Sequence, residues 1–136
     1  MLIYVDTSAA LKRVFEEDES AALMTAIDEA VLGGDRLISS HLTRVELGRG
    51  IRRRIEFESH ARLTSAFEAA TADIAFAPMS PSIIESARII GPPVLRSLDA
   101  IHLAAAIAVG AGEVWTYDER LAAASEEMGI VARMPS

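Results

Sequence analysis

Residues 2–8 read Leu2-Ile3-Tyr4-Val5-Asp6-Thr7-Ser8. Four apolar or aromatic residues, good β-formers, run straight into three residues that each favour the first position of a helix. The run is too short for a helix, so it reads as a buried strand that turns directly into one. That is the opening of a β–α unit, and the rest of the chain repeats it. Helix periodicity covers Ser20–Leu32, stopped by Gly33-Gly34, and a second strand is expected over 36–39. Leu47, Ile51 and Ile55 recur at four-residue spacing, which predicts a helix over 42–57. Further expectations are a helix over 61–72, a strand at Ile74–Ala77, a helix opened by Ser80-Pro81 and a loop at Gly91-Pro92-Pro93. A helix over 98–109 is apolar around most of its girth and should be deeply buried. A strand over 114–116, a helix over 119–128 and a strand over 130–132 complete the chain. The first helix is expected to run through Lys12 and Phe15 and to stop at the acidic run Glu16-Glu17-Asp18-Glu19.

Strands alternating with helices four or five times imply an α/β fold: a central parallel sheet of four or five strands with helices on both faces, joined by right-handed crossovers. The 136 residues suit one domain spanning 1–136, and 51% apolar residues suffice for a core built from Ala, Leu, Ile and Val. No apolar stretch is long enough to span a membrane. Residues 1–6 lack a basic region leading into an apolar one, so no secretory signal is expected and a cytoplasmic protein is implied.

The chain has no cysteine, which excludes disulfides, thiolate metal sites and cysteine nucleophiles. His41, His60 and His102 have no zinc-like spacing. A bound metal would need oxygen ligands, which points to Mg²⁺, Mn²⁺ or Ca²⁺. The net charge of −7 argues against a protein that coats nucleic acid. Its distribution is uneven, because residues 41–62 carry six basic and three acidic groups on an otherwise acidic chain.

In an open parallel sheet, ligands bind beyond the carboxyl ends of the strands. Asp6 follows the first strand and Asp118 lies just past the strand at 114–116. Glu46 falls early in the helix after the second strand, and Asp99 begins the buried helix among apolar neighbours. Four acids on one rim repel one another unless a divalent cation neutralises them. Singly, each acid has a structural use. Asp6 and Asp99 precede helices, and both Thr43-Arg44-Val45-Glu46 and Thr116-Tyr117-Asp118-Glu119 fit a capping box. The common rim favours a site.

The pieces Ile3-Tyr4-Val5-Asp6-Thr7-Ser8-Ala9, Thr43-Arg44-Val45-Glu46-Leu47, Leu98-Asp99-Ala100-Ile101-His102-Leu103-Ala104 and Trp115-Thr116-Tyr117-Asp118-Glu119-Arg120-Leu121 resemble, in order and separation, a PIN-domain ribonuclease. The resemblance is to the VapC-type toxins of bacterial toxin–antitoxin pairs, and it spans essentially the whole chain. It implies a Mg²⁺-dependent endoribonuclease, with Mn²⁺ as a substitute ion, inhibited by a cognate antitoxin and working as a homodimer. It also implies that Asp6, Glu46, Asp99 and Asp118 are the catalytic, metal-holding set. Magnesium takes one or two carboxylates directly, and Asp6 and Asp99 are assigned that role. Asp118 and Glu46 bind directly or through water.

Thr7, Ser8 and Thr116 are candidate supporting hydroxyls, with helix capping or strand packing as their alternative use. Arg49 and Arg53 share the helix face of Glu46, and with Arg52 they are candidates for contact with RNA or with the antitoxin; a solvated helix face is the alternative. His102, one turn after Asp99, reads as a core histidine within reach of the site. Two other functions remain open at this point. A haloacid dehalogenase-like phosphatase also uses an aspartate after its first strand, but it wants a second one where Ser8 stands and a lysine deep in the chain, and the only lysine is Lys12. A non-catalytic interaction domain would use the acids as caps.

Overall fold

A computed structural model describes residues 1–55 and 59–136. Five strands form one parallel sheet: β1 (Leu2–Val5), β2 (Arg36–Ser40), β3 (Ile74–Ala77), β4 (Glu113–Trp115) and β5 (Val131–Arg133). Their order is β3-β2-β1-β4-β5. The chain therefore builds outward from β1 on one side, then returns to build on its other side. The reversal point lies between β1 and β4, and in open sheets of this kind ligands bind beyond the carboxyl ends of the strands at such a point.

The helices are α1 (Thr7–Leu11), α2 (Ser20–Leu32), α3 (His41–Arg54), α4 (His60–Thr71), α5 (Pro81–Ala87), α6 (Ser97–Ala108) and α7 (Glu119–Glu127). The expected extension of α3 to Phe57 falls on residues outside those described. Strand β1 shows why both faces are covered. Ile3 and Val5 enter one apolar cluster with Leu23, Leu37, Leu47 and Trp115, while Tyr4 enters a second with Leu103, Val114 and Leu121. Alternate side chains point to opposite faces, and all three are fully buried. As expected, α6 is deeply buried, with His102, Leu103, Ala104, Ala105 and Ala106 inside.

Three local expectations change. Regular helix α1 ends at Leu11 rather than near Phe15, and the chain continues in tight turns through Phe15. There the Lys12 ammonium donates to Glu17 at 2.6 Å and to Glu19 at 2.8 Å, which folds the acidic run back onto the helix end. Strand β2 runs one residue further than expected, so α3 starts at His41. That places Thr43 inside the helix, where its hydroxyl accepts from Ser39 at 2.6 Å, and no capping box forms there. At α7 the capping side chain is Asp118, not Thr116.

Helices α1 and α3 pack closely at Gly50. A Cβ there would meet the Leu11 methyl carbons at 3.3 Å. This approach brings the first turn of α1 against α3, close enough for Thr7 to reach Glu46.

Candidate active site

The carboxyl ends of β1 and β4 are laced together by hydroxyls. Asp6 caps α1, its Oδ1 accepting from the Ala9 N–H at 3.0 Å and the Ser8 hydroxyl at 2.7 Å. Its Oδ2 accepts from the Thr116 hydroxyl at 2.6 Å. Thr116 in turn accepts from the Asp118 N–H at 3.0 Å, and Ser8 accepts from the Tyr117 N–H at 2.8 Å. Asp118 caps α7 through Oδ1, which accepts from the Arg120 and Leu121 N–H groups at 2.8 and 3.1 Å. The two strand ends thus hold Asp6 and Asp118 on one rim. Asp6 is only 4% exposed. Burial raises its pKa above the ordinary carboxylate range, against the opposing pull of His102 and of its hydrogen bonds.

Glu46 joins them from α3. Its Oε1 accepts from the Thr7 hydroxyl at 2.7 Å and from His102 Nε2–H at 2.6 Å. Burial alone would raise the Glu46 pKa, but the bond and charge of His102, with Thr7, bring it below the ordinary value. Buried His102 shows the reciprocal balance. Desolvation would lower its pKa, yet the Glu46 bond and the charges of Asp6, Glu46 and Asp99 raise it. Its other ring nitrogen, Nδ1, shares a 2.8 Å hydrogen bond with the Tyr4 hydroxyl. Burial pushes the Tyr4 phenol up to about 12.

Asp99 occupies the first turn of α6, where the helix dipole favours negative charge, but it is not the capping residue. Among the described residues its half-buried carboxylate makes no hydrogen bond and no ion pair. Its pKa is raised first by burial, then by the charge of Asp118, and further by Asp6 and Glu46, with His102 opposing. All four sequence-predicted acids therefore act on one electrostatic neighbourhood.

Among the described residues, no three His, Asp or Glu side chains close into a ready cation cage. The donor chemistry fits a hard, water-rich cation. All four groups are carboxylates, Asp99 lacks any protein donor, and magnesium keeps much of its water shell. Thr7, Ser8 and Thr116 all bond carboxylates of this set. Glu46, which local pattern could assign to a cap, is committed to tertiary partners instead. His102 is buried as a core histidine is, with Nε2 bonded to Glu46 and Nδ1 to Tyr4. Tyr4 was missed by sequence reasoning. The available signal was a phenol inside an aliphatic central strand, which must find a polar partner when buried.

Arg49 and Arg52 border a groove of about 470 Å³ between α3 and α4, floored by Ile51, Leu63 and Phe67. Arg53 is exposed, and none of these three makes an ion pair among the described residues. Arg54 is different: it pairs with Glu17 at 2.7 Å and stacks over Phe15.

Comparison with known proteins adds to this geometry. The PIN domain profile matches residues 3–127. Ribonuclease VapC47 of Mycobacterium tuberculosis is 35% identical over 136 residues, covering 98% of this chain and 97% of that protein. Ribonuclease VapC35 of the same species is 36% identical over 138 residues, with the same coverage of 98% and 97%. The crystal structure of VapBC2 from Rickettsia felis, bound to a DNA fragment from their promoter, matches with a TM-score of 0.71 over 98% of each chain. At 11% identity that likeness concerns the fold.

Proposed function

This chain belongs to the PIN domain family, alongside the VapC ribonucleases, and from that premise we propose that it is a divalent-cation-dependent endoribonuclease, the toxin of a toxin–antitoxin pair. The observation that carries the cation dependence is Asp99. It is a half-buried carboxylate with no protein donor among the described residues, beside three other acids that raise its proton affinity. His102 offsets only part of that repulsion, so added positive charge at this carboxylate is favourable.

Asp6 and Asp99 would hold Mg²⁺, or Mn²⁺ in its place, with Glu46 and Asp118 binding directly or through water. A bound Mg²⁺ would supply a water of lowered pKa and relief of charge on the phosphate. The protein's part is positional. Three hydrogen bonds fix Asp6 and two backbone N–H groups fix Asp118. Both bonds to Glu46 fall on Oε1, so Oε2 has no protein partner among the described residues. Rigid carboxylates of this kind need little reorganisation as charge develops on a phosphodiester.

Arg49, Arg52 and Arg53 supply the positive field that an acidic protein needs to receive RNA phosphates or an acidic antitoxin segment. The arginine-rimmed groove between α3 and α4 supports the contact with a cognate antitoxin that inhibits cleavage. Exposed Ile89, Val94 and Leu98 support a homodimer. The site of action is the cytoplasm.

The test is cleavage of total RNA with and without EDTA by the wild type, Asp6→Asn and Asp99→Asn. Cleavage is expected only in the wild type with the ion present. Metal-independent cleavage, or full activity in either variant, overturns the proposal. Sequencing the cleavage ends identifies the RNA.

A further inference from the structure

A chain of hydrogen bonds enters the carboxylate cluster from the core side of the sheet. It starts at the Tyr4 hydroxyl, passes to His102 Nδ1 at 2.8 Å, leaves from Nε2 to Glu46 Oε1 at 2.6 Å, and is closed by Thr7 at 2.7 Å. Tyr4 and Thr7 lie close in sequence, but Glu46 and His102 come from distant parts of the chain, and the four sit on β1, α1, α3 and α6. Tyr4 is fully buried and His102 is 3% exposed. The polarity of the chain follows from elementary valence. A carboxylate can only accept, so Nε2 carries the proton that it gives to Glu46, and the phenol engages the other nitrogen.

A histidine that merely satisfies itself in a core needs any acceptor and any donor. This one gives Nε2 to one oxygen of Glu46 and has its ring held through Nδ1 by the Tyr4 hydroxyl, and the second oxygen of Glu46 has no protein partner among the described residues. The ring is edge-on to Tyr4, with centroids 5.9 Å apart, so packing as well as hydrogen bonding fixes its plane. Outer partners of this kind orient ligating groups, and their loss weakens ion affinity or activity.

We propose that Tyr4 and His102 are positioning residues, which set the orientation of Glu46 from the core so that its free oxygen serves the cation site. The inference rests on the ribonuclease reading for its catalytic part and on ion binding for the rest. Two readouts separate these. Mn²⁺ affinity is measured from the free-ion electron paramagnetic resonance signal, and single-turnover cleavage of a defined RNA is measured at saturating Mg²⁺ and at low Mg²⁺. The proteins are wild type, Tyr4→Phe, His102→Gln, His102→Leu and the double variant Tyr4→Phe/His102→Leu, each compared below its melting temperature.

Tyr4→Phe keeps the ring and removes one hydrogen bond, so Mn²⁺ affinity and cleavage rate at low Mg²⁺ should each fall about fivefold. His102→Leu should lose about 10- to 100-fold. His102→Gln keeps a donor near the Nε2 position and should recover part of that loss. In the double variant Tyr4→Phe should add nothing, because its path to Glu46 is already cut. RNA affinity should be unchanged throughout. A structural role alone would shift melting but leave Mn²⁺ affinity, and the Mg²⁺ needed for half-maximal cleavage, at wild-type values; that result overturns the proposal. A wild type that binds Mn²⁺ without cutting RNA overturns the ribonuclease reading, and the affinities then decide the positioning role. A wild type that neither binds nor cuts overturns both.

Discussion

Replacing Asp99 by Asn should make the metal-free protein more stable and the protein in magnesium less so. The sign comes from what surrounds the carboxylate. Its pKa is raised by burial, then by Asp118, Asp6 and Glu46, so the folded state disfavours the ionised form relative to the unfolded chain. No protein hydrogen bond is lost with the charge, because none is made among the described residues. The opposing losses are the attraction to His102 and the charge–dipole interaction in the first turn of α6, the latter about 0.5 kcal/mol. The group is only partly buried, so solvent screens the repulsion and a net gain of about 1 kcal/mol is reasonable. For a chain of 136 residues this raises the melting temperature by about 3–5 °C. Calorimetric scans in EDTA at neutral pH measure it, and added salt should narrow the gap between the two proteins. In Mg²⁺ the order should reverse. An ion at a hundred times its dissociation constant stabilises the wild type by about 2.7 kcal/mol, and a variant that has lost a ligand forgoes most of this. A variant that melts several degrees lower in EDTA would refute the reasoning, since Asp99 would then carry a structural bond. A magnesium increment equal to that of the wild type would refute it equally.

In EDTA, the His102–Glu46 pair should give a flat-topped stability profile. The His102 pKa is raised, so its contribution is complete below the ordinary value near 6.5 and is lost as pH rises through the folded value. Glu46 is lowered, so its contribution is present above 4.5 and is lost as pH falls through its folded value. Melting temperatures across pH 3–9 should lose both shoulders in His102→Leu; identical profiles would count against the pair. Thr116→Val removes the donor to Asp6 and the acceptor for the Asp118 N–H, and should destabilise by roughly 1–3 kcal/mol in urea titrations. Substituting Arg49, Arg52 and Arg53 together by Gln should weaken RNA binding and flatten its salt dependence while leaving the rate at saturating RNA unchanged, as fluorescence anisotropy at several salt concentrations would show. Leu103→Ala, in the fully buried middle of α6, should cost about 2–5 kcal/mol and lower activity only through unfolding.

Periodicity read this fold well where local sequence and tertiary demand agree. Among the described residues, all five strands and all seven helices were legible, because each strand is a short apolar run beside a turn signal and α6 is apolar on nearly every side. Strand order was not legible. Adjacency of β1 to β4 depends on pairings such as Val5 with Trp115, between residues far apart in the chain, and no local pattern encodes it. The early end of α1 has the same kind of cause. Lys12 is pulled to Glu17 and Glu19 across a turn, and charge pairing across a turn leaves no mark on hydrophobic period. The capping-box reading of Thr43 and Glu46 failed because β2 runs on to Ser40, which places Thr43 inside α3. Glu46 is then available for Thr7 and His102.

The four acids were legible as a set, while their inequality was not. Asp6 accepts three protein hydrogen bonds, Glu46 two and Asp118 two. Asp99, in the same neighbourhood, accepts none among the described residues. Caps alone would account for Asp6 and Asp118, each of which bonds the N–H groups of the helix it starts. They do not account for Glu46, held by a hydroxyl and an imidazole, nor for a partnerless carboxylate set where the other three raise its proton affinity. A fold that tolerates such a conflict at one point, while satisfying nearly everything else, has a use for it there. The use that fits an unpaired carboxylate among fixed ones is a cation that arrives with its own charge and water, and this is why Asp99 is the residue whose substitution tests the site most directly.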